Sequence, residues 1–302
     1  MLVSQPDGVL LLDKPPGFSS TQALGRAKRL LEARKAGHTG TLDPFATGLL
    51  PLVFGEATKF ARFLIDATKA YSATLRLGVE TTTGDTEGQE VVRLPVDVDE
   101  ALIDEVIATF RGVRDQVPPM HSAVRVGGRR LYELAREGLE IERASRRIEI
   151  SSLRRTAFSG DELQLDVTCS KGTYIRTLAM ELGRALGCGA YLTGLRRTAV
   201  GPFTIDQATT LEILGGIGAQ RARDMLLPVD VLVAGLPRLD CADPEALRFT
   251  QGREIEGPEV GNGADVAVFG PTGRFLGVGS AGVAGRLAPL RLMATATGDK
   301  AP

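Results

Sequence analysis

A single carboxylate, Asp43, lies in a dense cluster of glycine and proline, the segment HTGTLDPFATGLLP from His38 to Pro51. Glycine and proline around one acid are typical of a tightly held loop. A catalytic nucleophile or general acid must be preorganised in this way, so the segment predicts that Asp43 performs chemistry. The alternative is that Asp43 is a turn or N-cap residue before Pro44.

A second segment, KGTYIRTL from Lys171 to Leu178, places Arg176 at the start of a predicted helix, shortly after a glycine. A cation at that end of a helix opposes the helix dipole. We therefore expect Arg176 to reach away to a fixed anion, because a buried arginine–carboxylate pair keeps the acid ionised and oriented. The alternative is an ordinary surface arginine.

Two of the four tyrosines, Tyr71 and Tyr174, lie close to the predicted starts of a strand and a helix. An aromatic ring at the mouth of a basic cleft is what stacking on an extruded nucleic-acid base requires. The alternative for each is a core tyrosine at a strand start.

Hydrophobic periodicity predicts the elements that must hold these residues. Strands are predicted over Gly8–Asp13, Tyr71–Val79 and Leu163–Val167, and helices after Ser19, over Asp97–Arg111, and from Ile175 to Leu186. Because the strands do not alternate with long crossover helices, the sequence predicts an α+β fold with a mixed, largely antiparallel sheet and flanking helices. Beyond Pro228–Pro237, a hairpin of Val266–Phe269 and Phe275–Val278 predicts a small β-rich C-terminal domain.

The composition excludes several classes of protein. The chain has 302 residues, of which 43% are hydrophobic, so it is not disordered. The longest uncharged stretch, Pro44–Gly55, is too short to span a bilayer, and no signal peptide is evident. Three cysteines and two histidines are too few for a disulfide framework or a metal centre. We therefore expect a cytoplasmic protein without a membrane segment or a metal.

The net charge of −1 hides a segregated distribution. Gly78–Glu105 carries a net charge of −8, whereas Arg111–Arg155 carries +5 and Lys171–Arg197 carries +4. Phosphate binding depends on a local basic face, so this pattern allows a nucleic-acid partner. The alternative is that these blocks are solvated helix surfaces.

Over most of Gly8–Asp230 the sequence resembles the TruB family of bacterial tRNA pseudouridine synthases. Five blocks occur in the family's order, namely KPPGFSST (14–21), GHTGTLDPFATGLLPL (37–52), KAYSATLRLG (69–78), KGTYIRTLAMELG (171–183) and YLTGLRRTAVGPF (191–203). The resemblance implies the pseudouridine synthase fold and isomerisation of the T-loop uridine at tRNA position 55. It also implies that no cofactor and no metal are needed, because nothing is oxidised and no group is gained.

The resemblance further implies roles for individual residues. Asp43 falls on the catalytic aspartate, Arg176 on its salt-bridge partner, and Tyr71 on the tyrosine that stacks on the flipped base and serves as a base. Substrate contacts are implied for His38, Tyr174, Leu195, Lys14, Arg129 and Arg130. Two positions depart from the family pattern: His121 stands where relatives often have tyrosine, and Thr82 replaces a common acid, although Asp85 is retained.

The resemblance also sets the expected domains and partners. Residues 1–235 are expected to form the catalytic domain, with a thumb-like insertion at about 120–150, and residues 236–302 a PUA-like RNA-binding domain. The expected partner is the T-arm stem-loop of tRNA, bound by a monomer without an obligate protein partner.

Two other functions fit parts of the sequence. A non-catalytic RNA-binding or tRNA-folding module would use the basic surface, but such a protein has no reason to hold Asp43 in a cleft for phosphates. A guide-RNA-directed relative would use the same chemistry, but Arg125–Gly138 resembles the thumb with which stand-alone members grip the T-arm. The sequence leaves open whether Asp43 attacks C1′, attacks the base, or assists departure of uracil.

Overall fold

The structure is a computed structural model that describes residues 5–122 and 124–294. Its strands, in chain order, are β1 (Gly8–Lys14), β2 (Ala36–His38), β3 (Thr47–Phe54), β4 (Lys69–Leu77), β5 (Val79–Thr81), β6 (Glu90–Arg93), β7 (Gly112–Gln116), β8 (Arg125–Val126), β9 (Arg129–Arg130), β10 (Arg146–Ser159), β11 (Glu162–Cys169), β12 (Ala190–Val200), β13 (Phe203–Thr204), β14 (Arg238–Asp240), β15 (Ile255–Glu256), β16 (Asp265–Phe269), β17 (Phe275–Ala281) and β18 (Arg286–Leu292).

The α-helices, in chain order, are α1 (Ser20–Leu30), α2 (Arg62–Ile65), α3 (Glu100–Thr109), α4 (Leu131–Arg136), α5 (Ile175–Ala185), α6 (Leu211–Ile217), α7 (Ala219–Asp224) and α8 (Asp243–Thr250). Local signals in the sequence fix their starts. Ser19 and Gln22 form a capping box at the start of α1, and the Asp99 side chain caps α3.

A nine-stranded sheet is formed by the first two-thirds of the chain. Its strand order is β1-β3-β12-β4-β11-β10-β7, with β2 paired to β3 and β13 to β12. The β12–β3 pair is parallel, whereas the neighbouring β12–β4 and β4–β11 pairs are antiparallel. The predicted α+β fold with a mixed, largely antiparallel sheet is therefore confirmed.

The central strand β4 follows the predicted alternation. Ala73, Leu75 and Leu77 are buried in the main core, whereas Ser72 and Arg76 are exposed. Buried residues of α1 and α5 cover the same core, namely Ala23, Ala27, Leu178, Ala179 and Leu182. The sheet and these two helices therefore bring the Asp43 and Arg176 segments to one region.

One detail of the helix predicted over Asp97–Arg111 is wrong. The apolar spacing of Leu102, Ile103, Val106, Ile107 and Phe110 predicts that all five face inward, but Leu102 is 39% exposed. The helix begins only at Glu100, so Leu102 lies in its first turn on the solvent side, while Ile103 and Ile107 make the buried contacts.

The C-terminal segment forms a five-stranded sheet with the order β14-β16-β17-β18-β15, and α8 packs on it. This sheet shares an apolar cluster with the nine-stranded sheet. The rings of Phe60 and Phe275 lie 5.1 Å apart, and Arg62 pairs with Asp265 at 2.8 Å. The shared cluster also includes Leu49, on one face of β3, whose opposite face lies in the main core.

Candidate active site

The loop that carries Asp43 is tied to its surroundings on both sides of that residue. The Ser20 hydroxyl accepts a hydrogen bond from the Leu42 amide at 2.7 Å and donates one to the Leu42 carbonyl oxygen at 3.0 Å. On the other side, the Gly17 amide donates to the Pro44 carbonyl oxygen at 2.9 Å. The backbone around Asp43 is therefore fixed by the turn and helix that follow β1.

Asp43 and Arg176 form a two-pronged ion pair. Arg176 Nε lies 2.9 Å from Asp43 Oδ2, and Nη2 lies 3.2 Å from Oδ1. The Arg176 side chain is 4% exposed, whereas that of Asp43 is 32% exposed and so remains open to a substrate. Such a fork holds the orientation of a carboxylate as well as its charge. The predicted anion for Arg176 is thus the predicted catalytic acid.

Arg176 also contacts a second carboxylate that the sequence analysis did not select. Asp85 Oδ2 lies 3.4 Å from Arg176 Nε, and the Asp85 side chain is 2% exposed. Asp85 is held in turn by the Thr83 hydroxyl and the Glu87 amide. Arg176 further donates to the carbonyl oxygens of Thr83 and His121, so all three of its nitrogens make hydrogen bonds.

The charges around Asp43 have opposite effects on the pKa of its carboxyl group. Burial raises the pKa of the Asp43 carboxyl, and the charge of Arg176 opposes that rise, while the nearby Asp85 adds to it. A carboxylate that is partly stripped of water but held ionised by a fixed cation is a stronger base and nucleophile than one in bulk water. Arg176 therefore favours the ionised, reactive form of Asp43 against the effect of burial.

A buried arginine, Arg197, supports the same loop from the sheet side. Its side chain is 1% exposed, and it donates to the carbonyl oxygens of Leu49 at 2.7 Å and Gly40 at 3.1 Å. The backbone there is tightly packed: Gly48 has φ +101°, and a Cβ atom on it would lie 2.3 Å from the Arg197 carbonyl oxygen. Sequence analysis missed Arg197 because the strand pattern of β12 does not distinguish a buried arginine from the exposed ones beside it.

Tyr71 lies opposite Arg197 in the β4–β12 register. Burial raises the pKa of the Tyr71 hydroxyl, and the nearby Arg197 charge opposes the rise, whereas the Asp43 charge adds to it. The phenol is therefore protonated at neutral pH. Tyr71 is linked to the Asp43 loop through Arg197, its partner in the strand register, which donates to the Gly40 carbonyl oxygen.

Three further predicted residues lie on elements that border this site. His38 is at the end of β2, its Nδ1 is buried without a partner among the described residues, and burial lowers the pKa of its imidazole. Leu195 is opposite Ala73 in the β12–β4 register. Tyr174 is the N-cap of α5, where Gln116 bonds both its amide and its carbonyl oxygen.

The remaining predicted contacts have different surroundings. Lys14 is fully buried, and its Nζ donates to the carbonyl oxygens of Phe18 at 2.6 Å and Pro44 at 3.3 Å, which favours a role in positioning the Asp43 loop over direct contact with a substrate. Arg129 is exposed and pairs with Glu137 at 2.5 Å. The side chain of Arg130 lies outside the described residues.

Membrane-spanning helices and clusters of metal ligands are both absent from the described part of the chain. Between residues 5 and 294, with residue 123 left aside, no helix is long and apolar enough to cross a membrane. In the same part of the chain, no group of three or more histidine, cysteine or acidic side chains could hold a metal ion. That the protein needs no metal or cofactor stays a prediction.

Comparison with known proteins identifies the family to which this site belongs. The model of the TruB family pseudouridylate synthase N-terminal domain matches residues 28–175, and two C-terminal models of TruB synthases match residues 176–234 and 237–293. A protein of Azoarcus sp. (strain BH72) named tRNA pseudouridine synthase B is 54% identical over 97% of each chain. The chain belongs to the TruB family. A second TruB relative with the same name, from Aromatoleum aromaticum, is 52% identical over 96% of this chain and 93% of its own.

Solved structures agree with the TruB fold. A chain in the crystal structure of a Cbf5–Nop10–Gar1 complex matches with a TM-score of 0.74 and 27% identity, and the match covers 96% of this chain and 84% of that one. The structure of an H/ACA ribonucleoprotein bound to a substrate RNA containing 2′-deoxyuridine gives the same TM-score at 25% identity. The predicted membership of a pseudouridine synthase family is thus confirmed.

Proposed function

We propose that this protein converts uridine to pseudouridine in tRNA, at the T-loop uridine of position 55. The observation that carries the proposal is the partly exposed Asp43 carboxylate held in two-pronged contact by the buried Arg176. Membership of the TruB family and the names of the curated relatives support the same reaction and substrate.

The reaction breaks the N1–C1′ bond, turns the uracil and joins C5 to C1′. The hydrogen on C5 is lost, and N1 gains one, so no oxidant or second substrate is consumed. Asp43 acts on C1′ or on the base, or assists departure of uracil, and each of these routes needs the ionised carboxylate that Arg176 favours. Extruding the uridine costs a few kcal/mol, which stacking on Tyr71 and contacts with basic side chains offset.

Tyr71 has two properties that fit a part in the reaction. It lies on β4 opposite Arg197, which bonds the backbone of the Asp43 loop, and its hydroxyl is protonated because burial raises its pKa. We assign the hydroxyl a proton transfer at the sugar or at C5, in addition to stacking of the ring. Replacing Tyr71 with phenylalanine keeps the ring, so Tyr71→Phe should bind tRNA but lose single-turnover activity. A near-normal rate for this variant would leave Tyr71 with stacking alone.

The same proposal assigns a role to each part of the chain. Residues 1–235 form the catalytic domain, residues 236–302 a PUA-like RNA-binding domain, and the segment at about 120–150, which includes the β8–β9 pair and α4, a thumb on the T-arm. The boundary between the second and third matched family models, after residue 234, supports this division. The protein acts as a monomer without an obligate protein partner, in the cytoplasm, where its tRNA substrate occurs.

The test is to incubate the purified protein with an unmodified tRNA transcript and to map pseudouridine along the RNA. The parent protein should modify position 55, whereas Asp43→Asn should bind the transcript and form no product, because the amide keeps the shape but loses the charge. Asp66→Asn is the matched control, since Asp66 is exposed and pairs with Lys171. Product from a clean Asp43→Asn preparation, or an unmodified transcript with the parent protein, would contradict the proposal.

A further inference from the structure

Helix α1 presents cations that have no carboxylate partner among the residues that the structure describes. It contains no acidic residue, and Arg26 and Arg29 are exposed on it, with Lys28 half-buried between them. Within residues 5–122 and 124–294, no carboxylate pairs with any of these three side chains. Glu32, the nearest acid in sequence, is already paired with Arg223 at 2.7 Å. The positive charge of α1 is therefore available to an external anion.

The larger basic blocks of the sequence differ from α1 in this respect. Many of their arginines and lysines are neutralised within the protein, in the pairs Arg114–Glu181, Arg154–Asp166, Arg155–Asp104, Lys171–Asp66, Arg184–Glu80 and Arg196–Asp13. A phosphate that binds a paired arginine must first displace a carboxylate, which reduces the net gain. Because of these pairs, the count of basic residues overstates how strongly those blocks attract a phosphate, compared with α1.

A groove runs along the unpaired face of α1. Its volume is about 410 Å³, and its walls include Phe18, Thr21, Gln22, Arg26 and Arg29. Phe18 is 39% exposed, although a large aromatic side chain of this kind is usually covered. An exposed ring beside two unpaired guanidinium groups is the combination with which proteins bind single-stranded RNA: cations for phosphates and a flat surface for a base.

The groove is adjacent to the catalytic loop. Gly17, at one end of the groove, donates its amide hydrogen to the carbonyl oxygen of Pro44, the residue after Asp43. Lys14 joins the same two segments, because its Nζ bonds the carbonyl oxygens of both Phe18 and Pro44. The groove and the loop that carries Asp43 are therefore joined by direct hydrogen bonds.

We propose that the groove on α1 binds the backbone of the substrate RNA beside the flipped nucleotide, with Arg26 and Arg29 on phosphates and Phe18 against a neighbouring base. The proposal rests on the proposed function, since it takes the same tRNA as the occupant. It adds a contact surface on the N-terminal helix to those expected of the thumb and the C-terminal domain.

The test measures tRNA affinity against salt concentration for the parent and for the double variant Arg26→Gln/Arg29→Gln. Each phosphate contact adds about 0.7–0.9 to the slope of log affinity against log salt. Losing two contacts should therefore lower the slope by about 1.4–1.8. Between 50 and 200 mM salt, the parent should then lose about 7- to 12-fold more affinity than the variant does.

The matched control is Arg76→Gln/Arg154→Gln, because both arginines are exposed and are paired with Asp161 and Asp166. This control should keep the slope of the parent. Phe18→Ala should weaken binding at least fivefold, as expected for a lost stacking contact, and Phe18→Tyr, which keeps a flat ring, should restore it.

The outcomes separate this proposal from the one on which it rests. If the parent protein forms no pseudouridine in tRNA, the proposed function fails. If the parent is active and Arg26→Gln/Arg29→Gln keeps its salt slope while remaining folded by thermal unfolding, the groove is not an RNA site. A slope that falls equally in the control variant would also overturn the proposal, because the loss would then follow net charge and not the groove.

Discussion

Replacing Arg176 with methionine and with lysine should separate the effect of its charge from the effect of its planar shape. Arg176→Met removes the cation that faces both Asp43 and Asp85, and Asp85 is 2% exposed, so water cannot replace the lost partner. Breaking a buried ion pair by removing one side costs about 3–5 kcal/mol of the free energy of unfolding. Arg176→Lys keeps a charge but has no planar fork, and an ammonium cannot hold both carboxylates in their present orientation.

The pH dependence of the rate gives a second measurement on the same variants. Burial raises the pKa of Asp43, and Arg176 opposes the rise, so removing the guanidinium lets the pKa increase further. In the proposed mechanism the ionised form of Asp43 is the active one, so the acid limb of single-turnover pseudouridine formation should move to higher pH in Arg176→Met. Arg176→Lys should move it less, while its rate at the plateau stays well below that of the parent.

Arg184→Met is the control, because Arg184 lies on the same helix α5 and pairs with Glu80 through two nitrogens but is 63% exposed. Its loss should cost at most about 1 kcal/mol and leave the pH profile unchanged. A plateau rate and pH profile of Arg176→Lys equal to those of the parent would refute the account of a shared, oriented ion pair. Unchanged thermal unfolding of Arg176→Met would refute the estimate of its cost.

Three further predictions follow from other parts of the structure. Arg197→Lys should reduce the single-turnover rate and cost about 1–3 kcal/mol of stability for each carbonyl oxygen left unpaired; parent-like values would remove Arg197 from the support of the Asp43 loop. Phe275→Ala should cost about 3–5 kcal/mol in urea unfolding because its ring packs on Phe60 between the two sheets, and a loss below about 1 kcal/mol would contradict the shared core. Burial lowers the pKa of His38 in the folded state, so the unfolded state binds its proton first, and stability should fall as pH drops below about 6.5. Melting temperatures at pH 5–7.5 should show a smaller fall in His38→Gln; an equal fall would show that His38 does not contribute.

The sequence predicted the elements with strong periodicity and the main ion pair. The alternation in β4 and the glycine that precedes α5 are local signals. The position of Arg176 at the start of a helix indicated a distant anion, and that anion is Asp43. The helix predicted from Asp97 starts at Glu100 because the Asp99 side chain caps it, and the exposure of Leu102 depends on where the first turn faces.

The parts that were missed depend on contacts between distant segments. Arg197 is buried because β12 runs parallel to β3 and places it under the Asp43 loop, and this register has no signature in either strand. Asp85 joins the ion pair through a short turn after β5. Likewise, the predicted hairpin indicated a β-rich C-terminal part, but the apolar cluster that it shares with the first sheet depends on contacts between distant segments.

The position of β3 between two cores has a consequence for synthesis of the chain. Its alternate residues face opposite ways: Leu50 and Leu52 lie in the core under α1, and Leu49 and Val53 lie in the cluster completed by Phe269 and Phe275. About 220 residues separate β3 from Phe275, and at about 5–20 residues per second the ribosome needs roughly 10–45 s to make them. During that interval one face of the strand that follows the catalytic loop lacks its C-terminal cover. The apolar cluster on that face of β3 is therefore completed only after Phe269 and Phe275 have emerged from the ribosome.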